Sequence, residues 1–427
     1  MQTTPINSIR IRSFLTVLIT LLMLGPAYAQ KNAVTDKKAA QFISYYNAAN
    51  ADSLYTLFSD VAIEKIPLPA LKIAIQQLKG GLGNLVKSEY YNYDQGAKIY
   101  IATFERSGPV LYINFDIADN VMGFFVSADQ RDTPGTLTVK THRAVLKGTL
   151  ALPEVSKPVP VVLLIAGSGP TDRDGNSMLA NGKPNYLLLL SDALKAKNIA
   201  VFRYDKRGVG QSTTTKPAAE ITFNDMIDDA GAIIKTLQAD KRFSKVIVAG
   251  HSEGSLIGML AAEGEKADAF ISLSGPGFPA DLILKTQIKA GASAADYEKA
   301  VLIIDSVKAG NFTTQKMSTA FNSIFNTAVQ PYLNSWMKYD PAKAISMLKV
   351  PVLIVQGTND IQISVKDAET LKRAAPTAQL KLIPQMSHIL KVGSADKQQN
   401  AATYTMPDLP LHPDLVPALV EFINSLK

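Results

Sequence analysis

The chain of 427 residues contains no cysteine, which excludes both a disulfide framework and lipid attachment through an N-terminal cysteine. It has no run of basic residues interleaved with aromatic ones, and its net charge of +7 is scattered. We therefore expect no nucleic-acid partner. With 47% hydrophobic and 19% charged residues, the composition is that of a globular protein and not of a disordered or multispan membrane protein.

Long apolar runs are scarce, and the run at the N-terminus predicts a targeting segment. Arg10 and Arg12 precede an apolar stretch over residues 14–24, which is followed by the small-x-small sequence Ala27-Tyr28-Ala29. The stretch is shorter than the ~20 residues that a membrane-spanning helix needs. We expect residues 1–30 to be a signal peptide cleaved near Ala29. The mature protein is then exported to the periplasm or the cell exterior, without a stable membrane anchor.

Hydrophobic periodicity divides the remaining chain into two parts. Residues 37–58 and 69–78 have helical spacing, whereas residues 99–104, 110–115 and 121–126 alternate with period two. Helices followed by an antiparallel meander predict a small α+β accessory domain over residues 31–130.

Strand and helix patterns alternate from about residue 135 to the end of the chain. The predicted strands cover residues 136–139, 144–152, 159–166, 199–204, 245–249, 269–273, 352–356 and 380–383. Such alternation predicts an α/β domain over residues 135–427 with a doubly wound, mostly parallel sheet. Residues 276–348 carry helical patterns and the single tryptophan, Trp336, but no strong strand pattern. We expect this insertion to form a helical cap over the carboxyl edge of the sheet.

The sequence Gly250-His-Ser-Glu-Gly254 contains the G-x-S-x-G pattern of a nucleophile elbow. It follows a short β-branched strand and precedes an apolar helix, which is the strand-to-helix context that the elbow requires. We therefore interpret Ser252 as a catalytic nucleophile. The alternative is a structural serine among turn-forming glycines.

A serine hydroxyl needs a positioned base, and the chain offers four histidines. His388 directly follows the predicted strand at 380–383, where the loop reaches the carboxyl edge of the sheet, so we assign it as the base. His412, in a Pro-rich loop, is the alternative base. Asp360 ends the sequence Gly357-Thr-Asn-Asp360 after a buried strand, and we assign it as the acid that orients His388. A helix cap near residue 365 is the other interpretation of Asp360.

An oxyanion hole needs two backbone donors. One comes from the residue after the nucleophile, Glu253, and the other from a loop after an early strand. Ser168 lies in the glycine-rich turn that ends the strand at 159–166 and is our choice for the second donor, with Gly167 and Gly169 as alternatives. An ordinary turn is the remaining interpretation. This chemistry requires no cofactor and no metal.

These motifs, together with Tyr204-Asp-Lys-Arg-Gly-Val-Gly210 and Ala166-Gly-Ser-Gly-Pro170, make residues 135–427 resemble the α/β-hydrolase superfamily. The likeness is strongest to exported bacterial esterases and serine-aminopeptidase-like hydrolases. Many relatives have His-Gly at the oxyanion loop, where this chain has Ala166. In the family the turn at 205–208 is mainly structural, and we expect Asp205 and Arg207 to form a local ion pair, with substrate contact as the alternative. The first domain resembles the nuclear-transport-factor-like domains that precede some hydrolases.

The resemblance implies an exported serine hydrolase that cleaves carboxylic esters through a Ser-His-Asp triad and an acyl-enzyme. Its partner is a small-molecule ester, for which an acylated sugar and a short acyl ester are both candidates. A peptidase or amidase with the same triad, and a binding protein without catalysis, are the alternatives. None of these residues specifies the oligomeric state.

Overall fold

The structure is a computed structural model that describes residues 33–426 apart from 95, 107–108, 128, 130, 178–181 and 315–323. The predicted signal peptide, residues 1–30, lies outside the described residues. Two compact units divide the chain between Arg131 and Asp132. Within the described ranges, no helix combines the length and the apolar character needed to cross a membrane.

The first unit is a small α+β fold, as predicted. Its helices are α1 (Ala33–Asn47), α2 (Ala51–Tyr55), α3 (Asp60–Lys65) and α4 (Leu68–Leu82). Its strands are β1 (Leu85–Asp94), β2 (Ala97–Phe104), β3 (Val110–Phe115) and β4 (Val121–Ser127). They form one antiparallel sheet in the order β1-β2-β3-β4. Phe42 and Tyr46 of α1 pack edge-on against Phe124 and Phe104 of this sheet, which closes the core.

The second unit contains a large sheet in which most strands are parallel, and this confirms the predicted fold class. Its strands are β5 (Thr136–Thr141), β6 (Ala144–Ala151), β7 (Val159–Ile165), β8 (Ala200–Tyr204), β9 (Thr213–Thr214), β10 (Phe243–His251), β11 (Ala269–Leu273), β12 (Val352–Gly357) and β13 (Gln379–Ile383). Their order is β13-β12-β11-β10-β7-β8-β6-β5, with β9 beside β6. The strands from β13 to β8 in this order are parallel to their neighbours, whereas β5, β6 and β9 pair antiparallel.

Helices cover both faces of this sheet. They are α5 (Tyr186–Lys195), α6 (Phe223–Gln238), α7 (Glu253–Glu265), α8 (Ala280–Lys289), α9 (Ala294–Lys308), α10 (Gln330–Trp336), α11 (Pro341–Met347), α12 (Val365–Ala374), α13 (Lys397–Ala402) and α14 (Leu415–Ser425). Alternate residues of β7 belong to different cores: Leu163 packs with α6 and α7, whereas Leu164 packs with α5 and α14. Burial on both faces explains the nearly continuous apolar sequence of β7.

The predicted cap corresponds to four described helices, α8 to α11, which follow one another between β11 and β12. Trp336 of α10 stacks on Phe223 of α6, with ring centroids 5.9 Å apart. Since α6 is packed against the sheet, this stacking fastens the cap to the body of the second unit.

Candidate active site

Ser252 lies in a sharp turn between β10 and α7. Its φ and ψ angles are 54° and −124°, in a region that a residue with a side chain occupies only under strain. A Cβ atom at Gly250 would lie 2.1 Å from the carbonyl oxygen of Gly254, and one at Gly254 would lie 2.4 Å from that of Ile165. Glycine is therefore required at both positions, and the turn holds Ser252 at the carboxyl end of a central strand.

Asp360 and His388 are brought together by the loops after β12 and β13. Nδ1 of His388 lies 2.8 Å from Oδ2 of Asp360, whose side chain is fully buried. The other oxygen, Oδ1, accepts from the backbone N–H groups of Gln362 and Ile363 at 2.8 and 2.9 Å. Burial acts to raise the pKa of Asp360, but the electrostatic interaction with His388 and these hydrogen bonds outweigh it, so the pKa lies below its usual value. The ionised carboxylate accepts the Nδ1 proton, which leaves Nε2 of the neutral imidazole as the basic nitrogen.

The loop that carries His388 is hydrogen-bonded to His251, the residue before Ser252. Nε2 of His251 lies 2.8 Å from the carbonyl oxygen of His388, and Nδ1 of His251 lies 3.0 Å from the hydroxyl of Tyr186. Burial, reinforced by His388, lowers the pKa of His251 to about 3, so the imidazole is neutral. A carbonyl oxygen only accepts, so Nε2 of His251 donates to it and Nδ1 accepts the Tyr186 proton.

The structure thus joins Asp360 to His388 directly and joins His388 to the elbow through His251. Among the described residues, no hydrogen bond links Oγ of Ser252 to His388 itself. The rings of His251 and His388 lie 4.7 Å apart, so His388 is beside the turn that holds Ser252. Ser252 is 9% exposed and lines a cavity, which leaves its hydroxyl open to a substrate.

The two assigned oxyanion donors line the same cavity as Ser252. Ser168 lies in the turn after β7, and Glu253 begins α7. A Cβ atom built on Gly167 would lie 3.2 Å from Cβ of Ser252, so this turn contacts Ser252. Two backbone segments from different strands therefore meet at Ser252, as an oxyanion hole requires.

Sequence reasoning missed the polar cluster next to these donors. Nζ of Lys206 donates to the carbonyl oxygen of Gly167 at 2.5 Å and to Oε1 of Glu253 at 3.0 Å. The hydroxyl of Tyr332, on α10 of the cap, donates to the same Oε1 at 2.9 Å. The signal in the sequence was a lysine inside the motif Tyr204-Asp-Lys-Arg-Gly208, but its partners come from distant segments.

The expected ion pair between Asp205 and Arg207 is wrong. Arg207 instead reaches α6, where it contacts Asp229 at 2.7 Å and Asp225 at 3.2 Å, while Asp205 pairs with Arg173 at 2.7 Å. The two side chains leave the strand end toward different elements, so adjacency in sequence does not bring them together.

The remaining histidines have other surroundings. His142 is exposed in the turn between β5 and β6, and Nδ1 of His412 accepts from the backbone N–H of Asp414 at 3.2 Å. Among the described residues, no cluster of three or more His, Asp or Glu side chains could hold a metal ion.

The cavity at Ser252 has a volume of about 670 Å³ and mostly apolar walls. The apolar walls include Met226, Ile283, Leu284, Val329, Leu333 and Trp336. Among the described lining residues, Glu253 is the one carboxylate, and Lys206 already pairs with it. The cavity therefore suits an uncharged, largely apolar group beside Ser252.

Known proteins resemble this chain in sequence and in fold. Residues 185–302 match the family described as serine aminopeptidase, S33. Esterase EstD of Thermotoga maritima is 24% identical over 406 residues, which cover 90% of this chain and 93% of that protein. Among solved structures, Est1E from Butyrivibrio proteoclasticus with bound ferulic acid has a TM-score of 0.45 at 17% identity, covering 68% of this chain and 98% of that one.

The Pyrococcus furiosus esterase Pf2001 has a TM-score of 0.46 at 14% identity, covering 70% of this chain and 96% of that one. In the present chain, the sheet begins with an antiparallel pair, continues as parallel strands and carries a serine elbow after β10. The second unit thus has the α/β-hydrolase fold, and the sequence similarities are to a serine aminopeptidase family and to an esterase.

Proposed function

We propose that the protein is an exported serine hydrolase that cleaves carboxylic esters with the triad Ser252, His388 and Asp360. The observation that carries this proposal is the 2.8 Å contact between Nδ1 of His388 and the ionised, buried Asp360. This contact fixes the tautomer in which Nε2 of His388 is a base. The hydrogen bond from Nε2 of His251 to the carbonyl oxygen of His388 holds that base beside the serine elbow.

In the first half of the reaction, Oγ of Ser252 attacks the acyl carbon of the ester while its proton passes to Nε2 of His388. The carbonyl oxygen becomes an oxyanion, which the backbone N–H groups of Glu253 and Ser168 stabilise. Asp360 stabilises the imidazolium. The tetrahedral intermediate then expels the alcohol, which takes the proton from His388, and leaves an acyl group on Ser252.

In the second half, His388 removes a proton from a water molecule, and the resulting hydroxide attacks the acyl carbon. The same two N–H groups stabilise the second oxyanion. Collapse of this intermediate releases the carboxylic acid, and the proton on His388 returns to Ser252. The cycle consumes one ester and one water and needs no other reactant.

The charges in the cavity favour an ester over the substrate of an aminopeptidase. A peptide with a free N-terminus carries an ammonium group, which a binding site stabilises with an unpaired carboxylate. Glu253, the one carboxylate among the described lining residues, is neutralised by Lys206. The lining also contains Arg207 and Lys216, both of which pair with Asp225. An uncharged ester with an apolar acyl or alcohol group fits these surroundings better.

Export is proposed from the sequence. The basic residues before an apolar stretch at 14–24 and the small-x-small site ending at Ala29 support cleavage of residues 1–30. Expression in a bacterium with two membranes, followed by fractionation and N-terminal sequencing, tests this part. We expect a periplasmic or secreted product that begins near Gln30, whereas an uncleaved cytoplasmic product contradicts it.

The activity is tested with purified protein, a panel of p-nitrophenyl esters and a matched panel of aminoacyl p-nitroanilides. We expect hydrolysis of the esters and little or none of the anilides, with ester hydrolysis lost in Ser252→Ala. Preferential hydrolysis of the anilides would establish the peptidase alternative. Folded protein without either activity would support a binding protein.

A further inference from the structure

One buried ammonium group lies between the two backbone segments that we assign to the oxyanion hole. Nζ of Lys206 donates both to the carbonyl oxygen of Gly167 and to Oε1 of Glu253. The side chains of Lys206 and Glu253 are 6% and 2% exposed. Stability alone does not account for this pair, because apolar replacements of buried ion pairs are often equally stable or more so.

The contact with Gly167 acts on the donor at Ser168 through the peptide bond. The carbonyl of Gly167 and the N–H of Ser168 belong to one planar peptide unit and, in its trans form, point in opposite directions. Fixing the carbonyl oxygen of Gly167 therefore fixes the direction of the Ser168 N–H. A hydrogen bond accepted by the carbonyl also polarises the amide, and cooperative strengthening of its N–H is of order 10–30%. A charged donor such as Lys206 makes the stronger kind of hydrogen bond.

The contact with Glu253 acts on the other donor. The backbone N–H of Glu253 is the first assigned donor, and its side chain is held by Lys206 on one side and Tyr332 on the other. Burial and the adjacent carboxylate of Glu253 raise the pKa of Tyr332 well above its usual value, so its hydroxyl remains a donor. The cap helix α10, which carries Tyr332, therefore contributes to the same anchoring.

We propose that Lys206 is a positioning residue that aligns the two oxyanion-hole donors and polarises the peptide that carries the Ser168 N–H. The inference rests on the proposed ester hydrolysis and adds a residue to its machinery. Lys206 acts through the peptide of Gly167 and Ser168 and through Glu253.

The test compares the parent enzyme with Lys206→Met, which keeps the length of the side chain and removes its charge. Removing a whole oxyanion donor costs about 100- to 1,000-fold in kcat, so loss of its alignment should lower kcat by about 10- to 100-fold. KM for a p-nitrophenyl ester should change by less than about threefold, because the interaction strengthens mainly in the transition state.

A transition-state readout separates this role from a general loss of structure. A trifluoromethyl ketone adds to an active-site serine and places an oxyanion in the hole. Its inhibition constant should rise in Lys206→Met by the same factor by which kcat/KM falls. Lys98→Met is the matched control, since Lys98 forms a part-buried ion pair with Asp119 in the first unit, and this variant should keep the kcat of the parent.

A kcat for Lys206→Met within about threefold of the parent overturns the proposal, as does a loss confined to KM. An unchanged inhibition constant for the ketone alongside a reduced kcat also overturns it. If Lys206→Met does not unfold cooperatively and is therefore not folded, the same outcomes are measured on the double variant Lys206→Met/Glu253→Gln, which removes the ammonium group and also the charge of its carboxylate partner. If the parent cleaves no ester, the proposed function fails. If the parent is active and Ser252→Ala is not, a normal kcat in the Lys206 variant refutes only the role of Lys206.

Discussion

The carbonyl oxygen of His388 accepts a hydrogen bond from Nε2 of His251, 2.8 Å away, so the residue next to Ser252 holds the loop that carries His388. His251 is 3% exposed, and its other ring nitrogen accepts from Tyr186. The two hydrogen bonds from Tyr186 to His251 and from His251 to His388 therefore link α5, the elbow and the loop after β13. In the proposed mechanism, this series of hydrogen bonds supports the position of His388 beside Ser252.

Replacing His251 should disturb catalysis as well as stability. We expect His251→Phe, which keeps a planar ring but neither hydrogen bond, to lower kcat by about tenfold or more, since small displacements of a catalytic group are costly. The unpaired carbonyl of His388 should also reduce the free energy of unfolding by about 1–3 kcal/mol. Steady-state kinetics and urea unfolding measure the two effects. Tyr186→Phe, which removes only the distant hydrogen bond, is the control and should lower kcat less. Equal kcat values for His251→Phe and the parent would show that catalysis does not depend on the hydrogen bond from His251 to the loop of His388.

The pH dependence of stability should contain a contribution from His251. Its pKa is about 3 in the folded chain, whereas an unfolded histidine has the ordinary value near 6.5. Below about pH 6.5 the unfolded state binds a proton that the folded state does not, so the free energy of unfolding falls by about 1.4 kcal/mol per pH unit until the pH approaches 3. This contribution is fully present above pH 6.5. Urea unfolding at several pH values should give a shallower decline for His251→Phe than for the parent. Parallel curves would mean that His251 is protonated in the folded chain.

The order of elements in the second unit was predictable because burial on both faces leaves unbroken apolar strands. β7 and the first four residues of β12 are continuously apolar, and glycine follows β7 in its turn and ends β12 at Gly357. Since parallel strands deliver their carboxyl ends to one edge, the positions of Ser252, Asp360 and His388 after three such strands implied proximity. The contact between Asp360 and His388 agrees with this reasoning.

Other features depended on contacts that no local pattern encodes. Strand β1 was not predicted, because its sequence from Leu85 to Asp94 is largely polar and aromatic and mostly exposed, so it lacks the alternation of a half-buried strand. The partners of Lys206 and Arg207 lie on other elements, and side-chain direction at a strand end cannot be obtained from spacing. The length of the cap was apparent from the sequence. The hydrogen bond from the hydroxyl of Tyr332 to Glu253 was not.

The apolar cavity should give a preference for longer acyl chains. Each buried methylene contributes about 0.8 kcal/mol, so kcat/KM should rise by up to about fourfold per methylene from acetate upward until the cavity is full. Val329→Trp should narrow the cavity and shift the optimum to shorter chains. The measurement is kcat/KM over p-nitrophenyl esters of increasing length. A parent preference for acetate, or no shift in the variant, would place the acyl group elsewhere.

The two glycines of the elbow should not tolerate a methyl group. In Gly250→Ala the new Cβ would lie 2.1 Å from a backbone oxygen, so we expect a loss of stability of about 3 kcal/mol or more together with loss of activity. Gly264→Ala in α7 is the matched control, because no heavy atom lies within 4 Å of its added Cβ. There we expect a gain of roughly 0.5–1 kcal/mol with normal kinetics. Thermal unfolding and ester hydrolysis distinguish the two. Normal activity in Gly250→Ala would refute the tight geometry of the turn.

The most direct test of the account is covalent labelling of the nucleophile. A fluorophosphonate should add once to the folded protein, and peptide mass spectrometry should locate the adduct on Ser252. The label should be absent from Ser252→Ala and form far more slowly in His388→Gln, because the hydroxyl is nearly inert without its base. Labelling at another residue, or equal labelling rates in the parent and His388→Gln, would contradict the account.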